Sequence, residues 1–545
     1  MKKNRRIPTV LALLALCAPL GAQNIKQTVE VTNDYLTRFA DFQKISPAMG
    51  VPDSLYRFDY DFDYSVFETP YKGSYEFSPY RIEVTPEARL RDDRLLYVRA
   101  GLGASFHPQL EYAVRLLDNG KHKIGIVGDA LGFAGKYRVR GREVKVPGHD
   151  LVSRALLNGQ YLRPAALLSY SFGYNGILSG EDIAQPVFRA GFNSGFIAGS
   201  IKSRPGHAER FFYDVSASYR YSGDTFPESM KVRSDHVGVA LAHADASFGP
   251  VLQEKYKILF DLAADVDMER ELGVMFGGKV AGSVVAVKPH LDFMLGPVLL
   301  DAGLRIDFAS GTEGRSTNLA PDVSARFTLR DYDMELYAGL SGGQFLYDHF
   351  QIKQINHFAP LTSGATAQVA RKRIHLNAGV TGHWGSRLQY ELEGGYEEWA
   401  NMPVASLRKV VPVELHAAYL QGRGAWSSAR LEVDGGFRYA FMRIGAPEGA
   451  YAPPAFTLDL RGRYNWEQRW FAGLFAEAAS KRVAFGDEWE SIPGYLNLGL
   501  TGEWRIDSLW SAWAEAGNLL GMAIERMPGY AEKSPYLTIG FSLKL

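Results

Sequence analysis

The chain has 545 residues, and its 60 basic side chains balance 60 acidic ones, so the formal net charge at pH 7 is zero. That balance argues against a nucleic-acid partner held by charge. Cys17 is the only cysteine, which excludes a disulfide framework and a thiolate metal site from the rest of the chain. No stretch after the N-terminal region approaches 18 consecutive apolar residues, so the sequence predicts no membrane-spanning helix.

Residues 1–22 have the pattern of a signal peptide. Four basic residues precede an apolar run over residues 10–16, and Leu20-Gly21-Ala22 offers a small-residue cleavage site. Cleavage after Ala22 would remove Cys17. A lipoprotein attached through Cys17 is the alternative, but Leu16 precedes this cysteine where a small residue is expected.

Residues 23–94 form a predicted periplasmic arm or small plug. Four aromatic residues alternate with three aspartates over residues 58–64, so an extended strand would place the rings on one face and the carboxylates on the other. Such a strand could bind a cation or dock against a partner. Calcium loops need bends and carbonyl ligands that this pattern lacks, so we interpret it as a solvated strand or an arm beside the main domain.

Residues 95–545 alternate between apolar and polar side chains over many long segments, among them residues 96–103, 213–222, 388–396, 431–439 and 535–545. A period of two is strand geometry. Strands of soluble proteins average about 5–6 residues, whereas tilted membrane strands need about 9–11. The pattern therefore predicts an all-β fold, a transmembrane antiparallel β-barrel. A soluble propeller or an array of β-domains is the alternative, and it must explain the outward-facing aromatic residues and the final strand.

Tight-turn signals divide this region, and longer polar stretches (residues 129–150, 268–278 and 344–364) fall between them. Ten turns separate eleven hairpins, which gives about 22 strands; 20 or 18 are possible if one or two strands are misread. Short turns that alternate with longer loops are typical of outer-membrane barrels. The ten turn signals lie at Asp118-Asn119-Gly120, Arg163-Pro164, Pro205-Gly206, Gly249-Pro250, Gly296-Pro297, Arg330-Asp331, Gly385-Ser386, Ser427-Ser428, Trp466-Glu467 and Asp507-Ser508.

The C-terminal region resembles the end of TonB-dependent receptor barrels. The resemblance rests on residues 516–520 (AGNLL), on Pro528-Gly529-Tyr530 and on the final amphipathic strand. It implies a 22-strand barrel in the bacterial outer membrane that takes up a solute. Such receptors carry a plug of well over a hundred residues, whereas residues 23–94 are too few for one. The N-terminal pattern also resembles plugless, receptor-like barrels of Bacteroidetes-type bacteria.

A short β-rich stretch in the arm resembles the box by which such receptors contact TonB. This candidate TonB box consists of Thr28, Val29, Glu30, Val31 and Thr32.

Charged residues at alternate strand positions are candidates for the lining of the lumen. They could line a solute path, or they could form a salt-bridged wall that fills part of a wide barrel. The late group is Glu391, Glu393, Arg430, Glu432, Asp434 and Arg438, and the early group is Arg99, Glu111 and Arg115.

No pattern supports an enzyme. His383 and Ser386 lie close together, but at a predicted turn, where serine is common for conformational reasons. The region of Asp348, His349, Phe350 and the pair His357-Phe358 could bind a ligand or metal, although two histidines in a loop are more often ordinary loop residues. Phosphate-loop, zinc and dinucleotide motifs are absent, and the sequence predicts no cofactor.

Two functions follow as expectations. The first is solute transport across the outer membrane by a receptor-type barrel that contacts lipid and TonB. The second is an occluded structural or assembly barrel that binds other periplasmic or outer-membrane proteins through its loops or its arm. A pore of 22 strands would breach the membrane barrier, so the arm, infolded loops or a partner must fill it.

Overall fold

The computed structural model describes residues 95–545 except 105, 138–145, 182–187, 205–210, 226–236, 253–255, 272–277, 313, 357–358, 360, 362–366, 408, 487–489, 527 and 529–534. The predicted signal peptide (1–22), the arm (23–94) with its candidate TonB box, and the pair His357-Phe358 therefore lie outside the described residues. The described part of the chain contains no helix that is long and apolar enough to cross a bilayer.

The chain forms 22 antiparallel strands, which confirms the predicted all-β barrel and its strand count. The strands are β1 (Leu96–Gly103), β2 (His107–Asp118), β3 (His122–Tyr137), β4 (Val146–Leu162), β5 (Ala166–Glu181), β6 (Phe188–Ser203), β7 (Phe211–Thr225), β8 (Val237–Leu252), β9 (Tyr256–Glu271), β10 (Lys279–Leu295), β11 (Val298–Gly311), β12 (Gly314–Leu329), β13 (Met334–Tyr347), β14 (Gln368–Trp384), β15 (Leu388–Ala405), β16 (Val410–Ser427), β17 (Leu431–Gly445), β18 (Phe456–Trp466), β19 (Trp470–Ala479), β20 (Tyr495–Arg505), β21 (Trp510–Gly517) and β22 (Tyr536–Lys544).

The sheet closes on itself. Each strand pairs with its neighbours in sequence, and β1 pairs with both β2 and β22, with Arg99 opposite Ser542. Closure satisfies the backbone hydrogen-bonding groups of both terminal strands and leaves no open edge, as a bilayer requires.

The two faces of the wall differ as the alternation predicts. On β22, Leu537, Ile539 and Phe541 are more than half exposed on the outer face, whereas Thr538 and Ser542 are buried on the lumen face. The same division recurs around the barrel, so an apolar outer surface encloses a polar interior.

One end of the barrel, here the turn end, holds the ten short connections. Gly120 and Gly296 adopt φ values of 79° and 60° in two of these turns, a conformation that glycine adopts without strain. Eight predicted turn signals fall in these connections or begin at the last residue of the preceding strand, and Pro205-Gly206 lies outside the described residues. The exception is Gly249-Pro250, which the structure places inside β8; the chain turns after Leu252, because the strand pairing with β9 continues past the proline.

Tryptophans cluster on the outer face near the turn end, and those of β19 and β20 stack, with the ring centroids of Trp470 and Trp504 5.4 Å apart. Aromatic girdles of this kind mark the interfaces of membrane barrels. The exposed tryptophans are Trp384, Trp426, Trp466, Trp470 and Trp510.

The opposite end, here the loop end, differs from the sequence prediction in two places. Residues 129–137 and 146–150 continue β3 and β4, and β9 continues to Glu271, because the backbone pairing of β3 with β4 and of β8 with β9 extends that far. The stretch after β13 is a true connection, and it contains the helix α1 (His349–Ile355).

Candidate functional site

The described residues of the connection between β13 and β14 (348–356, 359, 361 and 367) fold into the barrel; we call them the lumen segment. Its helix α1 begins at a capping box. The Asp348 carboxylate accepts hydrogen bonds from the backbone N–H groups of Phe350 (2.7 Å) and Gln351 (3.1 Å), while the Gln351 side chain accepts from the Asp348 N–H. A box of this kind satisfies the first N–H groups of a helix that is too short to be stable by itself.

His349 joins the lumen segment to two distant strands. It is fully buried. Its Nδ1 lies 2.7 Å from a carboxylate oxygen of Asp267 on β9, and its Nε2 lies 2.9 Å from the Ser222 hydroxyl on β7. The region of His349 was a candidate ligand or metal site in the sequence, but in the structure both ring nitrogens are engaged in holding the segment to the wall.

Lys353 makes the second polar attachment. Its ammonium lies 2.6 Å from the Asp224 carboxylate on β7, and both side chains are 1% exposed. The other Asp224 oxygen accepts the backbone N–H of Leu361 at 2.7 Å. Burial lowers the pKa of Lys353, and the negative charge of Asp224 opposes that shift. A buried ammonium needs such a partner, so the pair ties the segment firmly to β7.

Apolar contacts surround these two attachments. Phe350 packs with Phe192, Val239 and Leu361 in one buried cluster, and the Arg220 guanidinium lies 3.8 Å from the centroid of the Phe350 ring. The segment thus spans from β13 and β14 to the inner face of β6–β9, across the lumen near the loop end. A cavity of about 560 Å³ remains beside it, lined in part by Ile352 and Ala359.

Further connections at the loop end are joined to the lumen segment and to each other. The Asn356 amide donates to the Ser406 carbonyl oxygen at 2.7 Å, and the Ser406 hydroxyl donates to the Gly449 carbonyl oxygen at 2.7 Å. Beyond these, Tyr451 forms a β-bridge with Ala484. The connections that follow β13, β15, β17 and β19 therefore form one layer over this sector.

Glu393, a predicted lumen residue, is the centre of a hydrogen-bond network on the inner face of β13–β16. One oxygen accepts from the Tyr419 hydroxyl (2.8 Å) and the Gln421 amide (3.0 Å), and the other accepts from the Tyr337 hydroxyl (3.1 Å) and the Asn377 amide (3.0 Å). Neutral donors thus satisfy a carboxylate that is only 3% exposed. Such a satisfied network stabilises the wall, and that Glu393 lines a solute path remains a prediction.

The other residues of the late group do not share one hydrogen-bond network. Glu391 shares the single hydroxyl proton of Tyr337 with Glu393, at 3.0 Å from the Tyr337 oxygen. Arg438 pairs at 2.7 Å with Glu397, a residue that the sequence analysis did not select. Glu432 and Asp434 share the lumen face of β17 with Arg438, whereas Arg430 lies in the turn before that strand, because the chain reverses there and the alternation ends.

The early group brings Arg99 and Glu111 opposite each other on β1 and β2. The Arg99 guanidinium lies 4.0 Å from the centroid of the Trp513 ring, and Glu111 accepts from the Gln109 amide at 3.4 Å. Arg115 follows on the same strand beside an irregularity of the β2–β3 register. That these residues line a solute path remains a prediction.

His383 lies near the end of β14, next to a turn, as expected. One of its ring nitrogens is 3.6 Å from the exposed Asp333 carboxylate. Lys353 and Asp224 could not be predicted as a pair from the sequence, because they are 129 residues apart and no local pattern connects them. The tyrosines around Glu393 were not predicted either. A tyrosine at a lumen-facing position of a strand is a usable signal for such a network.

No protein-family model matches the sequence, and no curated protein matches it. Solved structures match the fold. The FrpB iron transporter from Neisseria meningitidis matches with a TM-score of 0.62 at 10% identity, over 83% of this chain and 81% of that chain. The ferric enterobactin receptor PfeA from Pseudomonas aeruginosa matches with a TM-score of 0.55 at 10% identity, over 83% of this chain and 80% of that chain. The ferric-catecholate import receptor Fiu from E. coli matches with a TM-score of 0.59 at 9% identity, over 84% of this chain and 82% of that chain. The chain therefore has the fold of TonB-dependent receptor barrels, as the C-terminal strand predicted.

Proposed function

We propose that this chain is an outer-membrane barrel that carries a solute across the membrane, with the lumen segment as its gate. The observation that carries the proposal is the way in which this segment is held. It reaches β6–β9 through side-chain contacts of His349, Lys353 and Phe350. An element held by side chains can leave the lumen without opening the barrel wall, since the backbone ladder around it stays intact.

Two further features support transport. The outer face is apolar and the inner face polar around the barrel, as in barrels that surround an aqueous path. Among the barrels that share its fold, two are described as an iron transporter and a ferric-catecholate import receptor. Their cargo is not transferred to this chain, because a likeness at about 10% identity shows the fold alone.

The test is solute entry into proteoliposomes that contain the refolded chain. We expect little entry of small sugars with the wild-type protein and measurable entry when the segment is detached from Asp224. A barrel that stays impermeable with the segment detached would contradict transport.

TonB is a proposed partner through residues 28–32. Deletion of these residues is expected to abolish energised uptake in cells while leaving the amount of barrel in the outer membrane unchanged. Unchanged uptake after the deletion would remove TonB from the proposal.

The second candidate function is an assembly barrel that binds partner proteins. The joined loop-end connections favour it, since bonds such as that from Ser406 to Gly449 build a broad, ordered surface. It predicts no solute entry in either the wild-type protein or the detached variant.

A further inference from the structure

A second cluster of ionisable side chains lies on the lumen face of β9–β12, in the half of the barrel nearer the turn end. At its centre is His290 on β10, whose side chain is 3% exposed. Its Nδ1 lies 3.0 Å from a carboxylate oxygen of Asp301 on β11 and 3.2 Å from one of Asp292 on β10. Three potential ligand atoms from three side chains thus converge at one place.

We infer that His290, Asp292 and Asp301 form a binding site for a divalent transition-metal ion on the lumen wall. Imidazole nitrogen with two carboxylate oxygens suits ions such as Zn²⁺ and Mn²⁺. Ligands at about 2.1 Å from such an ion lie about 3.0–3.4 Å from one another when they occupy adjacent positions. The Nδ1 distances to Asp301 and Asp292 fall within that range.

Asp261 on β9 lies beside the other ring nitrogen of His290. One of its carboxylate oxygens lies 3.3 Å from the Nε2 of His290, a close electrostatic contact without hydrogen-bond geometry. A carboxylate at this position favours the tautomer with its proton on Nε2, in which Nδ1 is available to a metal. In this arrangement, Nδ1 faces Asp292 and Asp301 while Nε2 faces Asp261.

The backbone of β11 is shaped to admit the imidazole. Gly303 stands opposite His290 in the strand register. A Cβ atom at this position would lie 2.7 Å from the His290 Cβ and 3.0 Å from the Lys288 side chain. Because a Cβ cannot approach another Cβ this closely, a larger residue at 303 would force His290 or its strand to shift, so glycine permits the observed position of His290.

The charges also favour a cation. Lys288 lies 3.2 Å from Asp322 and 3.5 Å from Asp301, and it is the only lysine or arginine among the six side chains of the cluster. Four carboxylates lie around one ammonium and one imidazole, so negative charge exceeds positive charge among these six side chains whether or not the imidazole carries a proton. Partly buried charges in excess are unfavourable, and a bound divalent ion would reduce the excess. The cluster comprises Asp261, Lys288, His290, Asp292, Asp301 and Asp322.

The test is calorimetric titration of the full chain with ZnCl₂ and with MnCl₂. The protein is made without a histidine tag and is refolded in detergent free of lipopolysaccharide, because both bind divalent ions. We expect one saturable site per barrel. His290→Asn and Asp301→Asn are each expected to weaken binding by about tenfold or more, since ligand contacts matter at least as much as their supporting groups.

Gly303→Ala removes no ligand, and we expect it to weaken binding as well. The matched control is His243→Asn. His243 on β8 also lies between two carboxylates, with Nδ1 2.6 Å from Asp265 and Nε2 3.6 Å from Asp245. The two carboxylates face opposite ring nitrogens and do not converge on one of them, so the loss of His243 should leave the site intact. Circular dichroism of each variant checks the fold, and Asp292→Asn replaces any variant that misfolds.

Absence of saturable binding would overturn the inference and leave the cluster as an ion-paired wall only. Equal binding by the wild-type protein and His290→Asn would overturn it too, as would loss of binding in His243→Asn. The inference does not rest on the proposed transport, because binding is measured in detergent, whereas solute entry is measured in proteoliposomes.

Discussion

The two ends of the barrel are built by different means. At the turn end, connections of a few residues join neighbouring strands, and glycines such as Gly120 adopt the positive φ values that these turns need. At the loop end, the lumen segment reaches across to β7 and β9 through Lys353 and His349. The turn end therefore depends on local chain geometry, whereas the loop end depends on contacts between residues far apart in sequence.

The difference bears on function. A wall made of paired strands is continuous and opens only by unfolding, since each strand is bonded to two neighbours. An element fixed by a few buried side chains can be released when one of them is changed. Movement is thus expected at the loop end and rigidity at the turn end.

The largest expected effect is at the buried pair of Lys353 and Asp224. Lys353→Glu places two carboxylates together, and disrupting a buried ion pair costs about 3–5 kcal/mol. Hydrogen exchange of the α1 amides should accelerate on the order of 100-fold or more, since each 1.4 kcal/mol is a factor of ten. The double variant Asp224→Lys, Lys353→Glu should restore part of the protection.

Lys202 and Asp214 provide the control, because they form a 2.8 Å pair at the turn end in which the lysine is 54% exposed. Exposed pairs contribute about 0–1 kcal/mol, so Lys202→Glu should change the hydrogen exchange of the neighbouring β6 and β7 amides only slightly. Equal effects of Lys353→Glu and Lys202→Glu would contradict the contrast between the two ends.

A smaller effect is expected at Glu393, which belongs to the rigid wall. Glu393→Gln replaces one carboxylate oxygen, which accepts hydrogen bonds, by an NH₂ group that donates them and that faces other donors. We therefore expect the free energy of unfolding in urea to fall by about 2–4 kcal/mol. Glu391→Gln is the matched control, because Glu391 has only the Tyr337 hydroxyl that it shares with Glu393, whereas Glu393 also accepts hydrogen bonds from three further side chains. If the two variants unfold at the same urea concentration, the network around Glu393 does not stabilise the wall.

The smallest effect is expected in the turns. Gly120→Ala forces alanine to φ near 79°, which costs about 1 kcal/mol. Gly502→Ala on β20 is the comparison, since Gly502 has ordinary φ and no atom within 4 Å of an added Cβ. Urea unfolding should distinguish the two variants; a more destabilised Gly502→Ala would show that turn geometry does not limit stability here.

The strands of the wall could be predicted from the sequence, because each strand and turn is specified by residues that are close together in the chain. Alternation places Leu537 outside and Thr538 inside, and turn signals such as Asn119-Gly120 divide the strands. The strand count followed from these two signals. Where the alternation ended the prediction lost accuracy, as at Arg430, which lies in a turn.

The loop end and the lumen clusters could not be predicted in the same way. His349 meets Asp267 across 82 residues, and Glu393 gathers donors from three other strands. Such contacts depend on barrel curvature and strand register, which one sequence does not specify. Lumen-facing polarity indicated that networks exist, but their partners appeared only in the folded barrel.

Single-channel conductance in planar bilayers tests the central claim, that the lumen segment closes the barrel and can be released. Three proteins are compared: the wild type, Lys353→Glu, and Asp224→Lys, Lys353→Glu. We expect a low conductance for the wild type, a several-fold higher one for Lys353→Glu, and a return toward the wild-type value in the double variant. A single conductance shared by all three proteins would contradict the claim.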